Sequence, residues 1–389
     1  MKTVNLLAYL GVGAAAFSAH VSRQDAVNCP LVSLNATLNV WKSYRLHTNS
    51  IYRDQVLAAA EVIKDLALKK KALKVADVGS FLWLSNATHL SQVENAAFGV
   101  PCDRIVGLVL HGTKSADCSS RNFNPLGLEA YQKTWVDALA TTLKSHPRTA
   151  FAIVIEPQAL TRLVINADLA ACRASAASFR ANIAYALKTL NLPNVVLYLD
   201  AGHGGSLGWD ANNKPAVNEF DAAYKAAGRP SQLRGFGVNI GHWNAWDLSP
   251  GEFATTREGQ NWAQNEQAWV RLLGGLLGKA GLPNHAVMDT SRNGVLGLRY
   301  DWTRWCNVNG AGFGRLPSAE GTGLDLADAF VWAKGGGVSD GTSDAASPNY
   351  DAACGGQDAF KPSPGDGEWN QPYFEVLLRE ARPEIKVED

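Results

Sequence analysis

Titratable, amide and indole side chains directly follow the short apolar runs of this 389-residue chain. They are Trp83 and Ser85, His111, Glu156 and Gln158, Asp200 and His203, Asn239 and His242, Asp289 and Arg292, and Lys334 and Asp340. If the runs are parallel strands, these side chains share one face, which is where barrel enzymes carry their active sites. The alternative is that polar residues simply mark strand ends near water. We favour the functional interpretation because Gly or Ser would serve equally well at such positions.

Tryptophans are concentrated in or beside the same segments. They are Trp83, Trp209, Trp243, Trp246, Trp302, Trp305, Trp332 and Trp369. An indole face stacks on the apolar face of a pyranose ring, so this distribution favours a carbohydrate ligand. Core packing is the competing explanation, and it accounts for Trp332 inside a strand and for about half of the others.

Seven apolar, β-branched runs predict seven strands, at residues 78–84, 105–110, 150–155, 194–199, 234–240, 285–289 and 329–333. Most are continuously apolar, which is typical of parallel strands covered on both faces. Helical stretches separate most of them, at residues 52–71, 128–144, 174–190 and 260–277. The alternation predicts an α/β fold, either a closed barrel or an open doubly wound sheet. The first strand is not followed by GxGxxG, which disfavours a nucleotide-binding sheet.

The composition excludes several classes of protein. Thirty-six Lys and Arg balance 36 Asp and Glu, so the chain lacks the basic surface that binds nucleic acid or an anionic membrane. With 46% hydrophobic and 19% charged residues, it can bury a large core and is not a disordered protein. We expect no metal, because His and carboxylates do not cluster at ligand spacing.

The N-terminus and the cysteines predict secretion. Residues 1–18 have the charged start, apolar run and small-x-small end of a signal peptide, which leaves residues 19–389 as one predicted domain. Asn35-Ala-Thr37 and Asn86-Ala-Thr88 are N-glycosylation sequons. Six widely spaced Cys favour disulfides over a zinc site, with about 15 possible connectivities.

Several longer motifs resemble glycoside hydrolase family 6, the fungal cellobiohydrolases and endoglucanases. They are Ile155-Glu-Pro157, Tyr198-Leu-Asp-Ala-Gly-His203, Asp289-Thr-Ser-Arg-Asn-Gly294, Trp305-Cys-Asn-Val308, and Lys334 with Asp340-Gly-Thr-Ser-Asp344. The resemblance implies a distorted, TIM-like barrel of seven parallel strands that hydrolyses β-1,4-glucans with inversion and uses no cofactor. It also implies the disulfides Cys118–Cys172 and Cys306–Cys354, which leaves Cys29 and Cys102 as a possible third pair. We find no carbohydrate-binding module or linker, and we expect a monomer whose partner is a β-glucan or cello-oligosaccharide.

The resemblance weakens at the catalytic positions. Inverting glycosidases need a carboxylic acid that protonates the leaving oxygen and an opposed carboxylate that activates water. The family's acid follows Ile-Glu-Pro, where this chain has Gln158, whose amide cannot act as a proton donor. Asp117 matches the auxiliary aspartate, His111 replaces a tyrosine, and Ser206 replaces a sugar-stacking tryptophan. Asp340 matches the proposed base.

The substrate-binding positions are better preserved. The residues that match substrate-contacting or supporting positions are Trp83, Asp200, His203, Arg292, Trp305 and Lys334, and Trp209 and Asn239 complete the predicted binding set.

Three hypotheses from different classes follow. In the first, which we prefer, the protein is a hydrolase in which Asp117 protonates the leaving group, Asp340 acts as base through water and Gln158 orients the substrate. His111 is a second candidate acid, since imidazolium titrates near neutral pH, although a packed or solvent-facing His is an equally good interpretation. The second hypothesis is a glucan-binding protein on an inactive scaffold. The third, a structural barrel, is disfavoured by Asp340, Lys334 and Trp305.

Overall fold

The computed structural model describes residues 28–85, 87–112, 129–253, 260–299 and 301–387. The predicted signal peptide, the sequon residue Asn86 and the candidate residues Asp117 and Cys118 lie outside these ranges. Among the described residues, no helix combines the length and apolar character needed to cross a membrane.

The strands of the described part form one parallel sheet. They are β1 (Arg45–Leu46), β2 (Leu82–Leu84), β3 (Arg104–Leu110), β4 (Ala150–Ile155), β5 (Val195–Asp200), β6 (Leu233–Val238), β7 (His285–Asp289) and β8 (Ala327–Val331). From β3 to β8 the strands pair in chain order, while β1 and β2 lie end to end along β3 and so share one position. The predicted α/β fold with seven parallel strand positions is therefore confirmed.

The sheet curves until its two edges almost meet. Phe81, just before β2, donates its backbone N–H to the carbonyl of Trp332, just after β8, over 2.9 Å. The indole N–H of Trp83 bonds the carbonyl of Ala333. These contacts make the sheet a nearly closed barrel, and they exclude the open doubly wound alternative.

Side chains of the central strands alternate between two cores. On β3 to β5, residues such as Val109, Val154 and Val196 point into the barrel, where Tyr198 and Phe81 fill its lower end. Their neighbours, such as Leu108 and Ile153, pack outward against the helices. Because both faces of these central strands are covered, their sequences are continuously apolar.

The helices surround the sheet. They are α1 (Ser50–Val62), α2 (Leu66–Ala76), α3 (Leu90–Ala97), α4 (Asp137–Ser145), α5 (Ala159–Ile165), α6 (Ala170–Thr189), α7 (Gly204–Leu207), α8 (Asp210–Ala226), α9 (Glu266–Lys279) and α10 (Gln371–Arg379), and a π-helical segment (Ala130–Val136) precedes α4. The prediction of one helix over residues 52–71 was wrong. The side chain of Asp65 accepts the N–H groups of Ala67 and Leu68, and so begins a new helix. Likewise, the predicted start at residue 260 was wrong, because Asn265 caps α9.

Two disulfides are present in the described part. Cys29 pairs with Cys102 and Cys306 with Cys354, so the possible third bridge and one of the two implied by the resemblance are confirmed. The Cys118–Cys172 pair stays a prediction because Cys118 lies outside the described residues.

Candidate active site

Backbone strain marks the carboxyl-terminal face of the barrel. Among the described residues, five that are not glycine have a positive φ, and four of them follow strands or line loops at this face: Glu156 (49°), Gln158 (68°), Asn239 (58°) and Asn307 (38°). Such conformations are costly for residues with a side chain and tend to cluster at functional sites. The face that sequence predicted to carry chemistry is therefore also where the backbone is most constrained.

Asp340 is the centre of one group of side chains, which we call the Asp340 cluster (Asp340, Lys334, Arg292 and Asn307). Its carboxylate accepts from Nη1 of Arg292 at 3.0 and 3.1 Å, from Nζ of Lys334, and from the backbone N–H of Asn307 at 2.9 Å. Burial alone would raise the pKa of Asp340, but the charges of Arg292 and Lys334 outweigh it and hold that pKa below its usual value. Asp340 is thus an ionised carboxylate.

The loop around Asp340 is held in place by buried hydrogen bonds and a disulfide. Asn307 receives the backbone N–H of Asp340 on Oδ1 at 2.8 Å, while its Nδ2 bonds Ser363 Oγ at 2.7 Å. The neighbouring Cys306 is tied to Cys354 by a disulfide. The carboxylate therefore cannot move without breaking this buried support.

Aromatic rings border the Asp340 cluster. Nζ of Lys334 lies 5.8 Å from the centroid of the Trp83 ring, and the His111 ring meets Trp83 edge-on with centroids 5.5 Å apart. On the other side, the guanidinium of Arg292 stacks 3.9 Å above Trp243. The half-buried Trp83 thus presents an indole beside the charged groups, as a sugar platform requires.

A second group, the Gln158 cluster (Gln158, Asp200, His203 and His242), lies across β5. The backbone N–H of Gln158 donates to Oδ2 of Asp200 at 2.8 Å, and its side-chain Nε2 lies 2.8 Å from Nε2 of His242. The rings of His203 and His242 have centroids 4.7 Å apart. Residues from the ends of three adjacent strands are therefore in contact.

Burial sets the protonation of this second group. It raises the pKa of Asp200 to about 7, against the opposing effect of the N–H groups of Gln158 and Gly202. It lowers the pKa of His242 to about 3, helped by Arg299 and Arg292, and lowers that of His203 well below the usual value. Both imidazoles are therefore neutral at physiological pH.

Gly241 joins the two clusters. Its N–H donates to Oδ2 of Asp289 at 2.8 Å, and its carbonyl accepts from Arg292. A Cβ built on Gly241 would lie 3.7 Å from both the Trp83 ring and the Lys334 side chain. His242 therefore follows a residue that touches the Asp340 cluster, and the two clusters are adjacent at this face of the barrel. We call the region between them the cleft.

The other predicted binding residues fall into two kinds. Trp209 and Trp305 are partly exposed, and the indole N–H of Trp209 is bonded to the Gly205 carbonyl at 2.7 Å. Asn239 is fully buried, and its amide bonds the Asp289 carbonyl at 2.8 Å and the N–H of Asn244 at 3.0 Å. Asn239 thus positions the loop after β6, whereas the two tryptophans keep part of their surface exposed.

About half of the loop tryptophans are core residues, as expected. Trp243, Trp246, Trp302 and Trp332 are buried, whereas Trp83, Trp209, Trp305 and Trp369 are partly exposed.

Sequence reasoning missed three residues that hold the cleft together. Asn307 lies within the motif Trp305-Cys-Asn-Val308, yet an asparagine at this position gives no indication of its role. His242 was noted at a strand end but not assigned to the site. Glu266 is buried on α9 and accepts from Nδ2 of Asn244 at 2.6 Å and from the N–H of Gly204 at 3.1 Å. An acidic residue at a helix start gives no signal of burial, so Glu266 was not predictable.

We expect Glu266→Gln to flatten the pH dependence of stability between pH 5 and pH 8. Burial raises the pKa of Glu266 to about 7, although Asn244 and Gly204 oppose the shift. The folded state therefore holds a proton that the unfolded chain releases near pH 4.5. The resulting stabilisation is complete below that pH and is lost as pH rises through about 7, an effect of about 3 kcal/mol in the free energy of unfolding.

Thermal unfolding at pH 5, 6, 7 and 8 checks this expectation. The melting temperature of the wild type should fall more steeply than that of Glu266→Gln, whereas the exposed Glu320→Gln control should follow the wild type. Parallel curves for the wild type and Glu266→Gln would contradict it.

Comparison with known proteins identifies relatives along nearly the whole chain. The family model described as "Glycosyl hydrolases family 6" matches residues 41–381. The 1,4-beta-D-glucan cellobiohydrolase CEL6C of Podospora anserina is 52% identical over 370 residues, which cover 94% of this chain and 93% of the relative. Among solved structures, cellobiohydrolase II (Cel6A) of Humicola insolens in complex with glucose and cellotetraose is 34% identical, with a TM-score of 0.82, and the match covers 89% of this chain and 100% of that one. CcCel6C of Coprinopsis cinerea, a family 6 enzyme, is 26% identical with a TM-score of 0.83, and the match covers 90% and 100% of the two chains.

Proposed function

Because this chain belongs to the glycosyl hydrolases of family 6, we propose that it hydrolyses β-1,4-glucosidic bonds of cellulose or a related glucan with inversion. The Podospora and Humicola relatives are named as cellobiohydrolases, and the Humicola structure contains cellotetraose. Inversion requires a base that activates a water on one side of the sugar and an acid on the other. The Asp340 cluster is the candidate for the base side, and the acid side needs a group other than Gln158.

The observation that carries the proposal is the Asp340 cluster. Asp340 is held ionised by Arg292 and Lys334, and Trp83 lies beside it as a stacking surface. An ionised carboxylate next to an indole platform suits the activation of a water below a bound sugar. We therefore assign the base to Asp340, acting through water, and the adjoining sugar contact to Trp83.

The acid is assigned to Asp117, with His111 as the second candidate. Gln158 lacks a titratable proton, so it orients the substrate instead. His111 directly follows β3 and contacts Trp83, which supports a location within the cleft. A carboxyl that takes over protonation needs a raised pKa, which burial under a bound glucan would provide.

A second candidate function is glucan binding without hydrolysis. It is favoured by Gln158 and by the three donors around Asp340, which occupy its carboxylate and would weaken it as a base. In that case Trp83, Trp209 and Trp305 would still bind sugar, and nothing would be released.

We further infer that the protein is secreted and acts as a monomer. The disulfides Cys29–Cys102 and Cys306–Cys354 and the exposed sequon residue Asn35 support an oxidising, glycosylating route.

Titration calorimetry with cellotetraose, followed by assay of the same mixtures for new reducing ends, tests the proposal. We expect binding together with sugar release. Binding without release would replace hydrolysis by the binding function, and absence of binding would exclude both.

A further inference from the structure

His242 directly contacts the residue that stands in the acid position. Nε2 of Gln158 lies 2.8 Å from Nε2 of His242. Since an amide NH₂ group only donates hydrogen bonds, the orientation of the Gln158 amide in the structure makes the imidazole nitrogen the acceptor. His242 therefore carries its proton on Nδ1, and its Nε2 lone pair receives the Gln158 amide.

The backbones of both partners are fixed. Gln158 is held through its N–H to Asp200, and His242 through its N–H to the Asn239 carbonyl at 2.8 Å. The preceding Gly241 is bonded to Asp289 and to Arg292. The contact between the two side chains therefore connects the loop after β4 to the loop after β6, beside the end of β5. The backbone hydrogen bonds hold both loops in place.

The surroundings keep His242 neutral. The four charged groups that act on it come from three segments: Arg162 lies on α5, Arg292 and Arg299 on the loop after β7, and Lys334 after β8. The neutral ring of His203 is its aromatic neighbour. Burial, reinforced by these four cations, lowers the pKa of His242 and strongly disfavours a second proton on the imidazole, which agrees with its role as acceptor.

We infer that His242 is a positioning residue, which fixes the Gln158 side chain by accepting its amide hydrogen and so leaves Oε1 of Gln158 to accept a hydroxyl of the bound glucan. This inference rests on the proposed function, because it takes position 158 to face the bond that is cleaved. The Gln158–His242 pair is then neutral as a whole, and neither residue transfers a proton to the leaving group.

The pairing has a consequence for restoring a carboxylic acid at this position. After Gln158→Glu, which keeps the length of the side chain, the imidazole would switch its proton to Nε2 and donate it to the new carboxylate. A hydrogen bond to the charged form lowers the pKa of a carboxyl, so the introduced group would be ionised at neutral pH and would be a poor acid. Combining Gln158→Glu with His242→Leu removes that donor, and the basic limb of the pH–rate profile should then move up by about one to three pH units.

The test uses the full-length protein with four variants: His242→Leu, His242→Gln, Gln158→Glu, and the Gln158→Glu/His242→Leu double variant. His146→Gln is the matched control, since His146 pairs with Glu94 on the surface. Nitrogen-15 NMR of labelled histidine should show an Nδ1–H tautomer that does not titrate between pH 5 and pH 8 and that disappears in His242→Gln. For cellotetraose, kcat/KM should fall about three- to tenfold in His242→Leu and be largely kept in His242→Gln, whose amide oxygen can take the place of Nε2 as acceptor.

The outcomes separate this inference from the proposed function. A His242 signal that titrates near pH 6.5, or that shows the Nε2–H tautomer, would overturn it, as would equal pH profiles for Gln158→Glu and the double variant. If the wild type binds cellotetraose without cleaving it, the same ranking is expected in Kd, and a flat ranking overturns the inference. If the wild type does not bind, the proposed function fails, and with it the substrate contact assigned to Gln158.

Discussion

Asp340→Asn should lower kcat for cellotetraose by about 10²- to 10⁴-fold while changing its affinity little. The substitution keeps the size of the side chain and an oxygen that can accept from Asn307, but it removes the only carboxylate of the Asp340 cluster. Because Arg292 and Lys334 lower the pKa of Asp340, the base is ionised over the whole neutral and mildly acidic range. The acidic limb of the wild-type pH–rate profile, which reports the protonation of Asp340, should therefore lie below the usual pH range of a carboxyl group.

The experiment needs a check on folding and a matched control. Removing one member of a buried ion pair can cost about 3–5 kcal/mol, since Arg292 is fully buried and would lose its counter-charge. Melting temperature and cellotetraose binding therefore have to be measured beside kcat. Asp366→Asn, an exposed aspartate of the same C-terminal region, should behave like the wild type. A folded Asp340→Asn protein with near wild-type kcat would remove Asp340 from the role of base.

The strands were predictable from sequence because a strand that is buried on both faces is a continuous run of apolar residues. The runs at Ala150–Ile155 and His285–Asp289 were predicted to the residue, as each is flanked by polar residues at both ends. Helix boundaries were less predictable. Asp65 interrupts an otherwise uniform amphipathic pattern, and only the cap contacts with Ala67 and Leu68 show that a new helix begins there.

The residues of the candidate site were predictable where the residue type itself indicates a chemical role. Asp340, Lys334 and Arg292 were chosen from a motif, and the structure brings them into contact. His242 and Asn307 escaped prediction because their importance lies in partners distant in sequence. Gln158 is 84 residues from His242, and Asp340 is 33 residues from Asn307. No local sequence pattern predicts such contacts, because they form only when the fold brings distant loops together.

Asp117→Ala is expected to separate two substrates that differ only in their leaving group. Hydrolysis of cellotetraose should fall by about 10²- to 10⁴-fold, because an alcohol leaves slowly without a proton. Hydrolysis of p-nitrophenyl β-cellotrioside to nitrophenolate should change little, because that phenolate is stable without protonation. The water and the base serve both reactions equally, so the ratio of the two rates isolates the acid.

Asp168→Ala, at an exposed aspartate between α5 and α6, is the control and should leave both rates unchanged. Equal losses on the two substrates in Asp117→Ala would mean that Asp117 supports the water or the fold and is not the acid. Unchanged rates on both would move the assignment to His111, and His111→Asn should then show the selective loss. Since Gln158 cannot supply the proton, another group has to do so when the wild type cleaves cellotetraose, and the two variants test the two groups that we assign to this role.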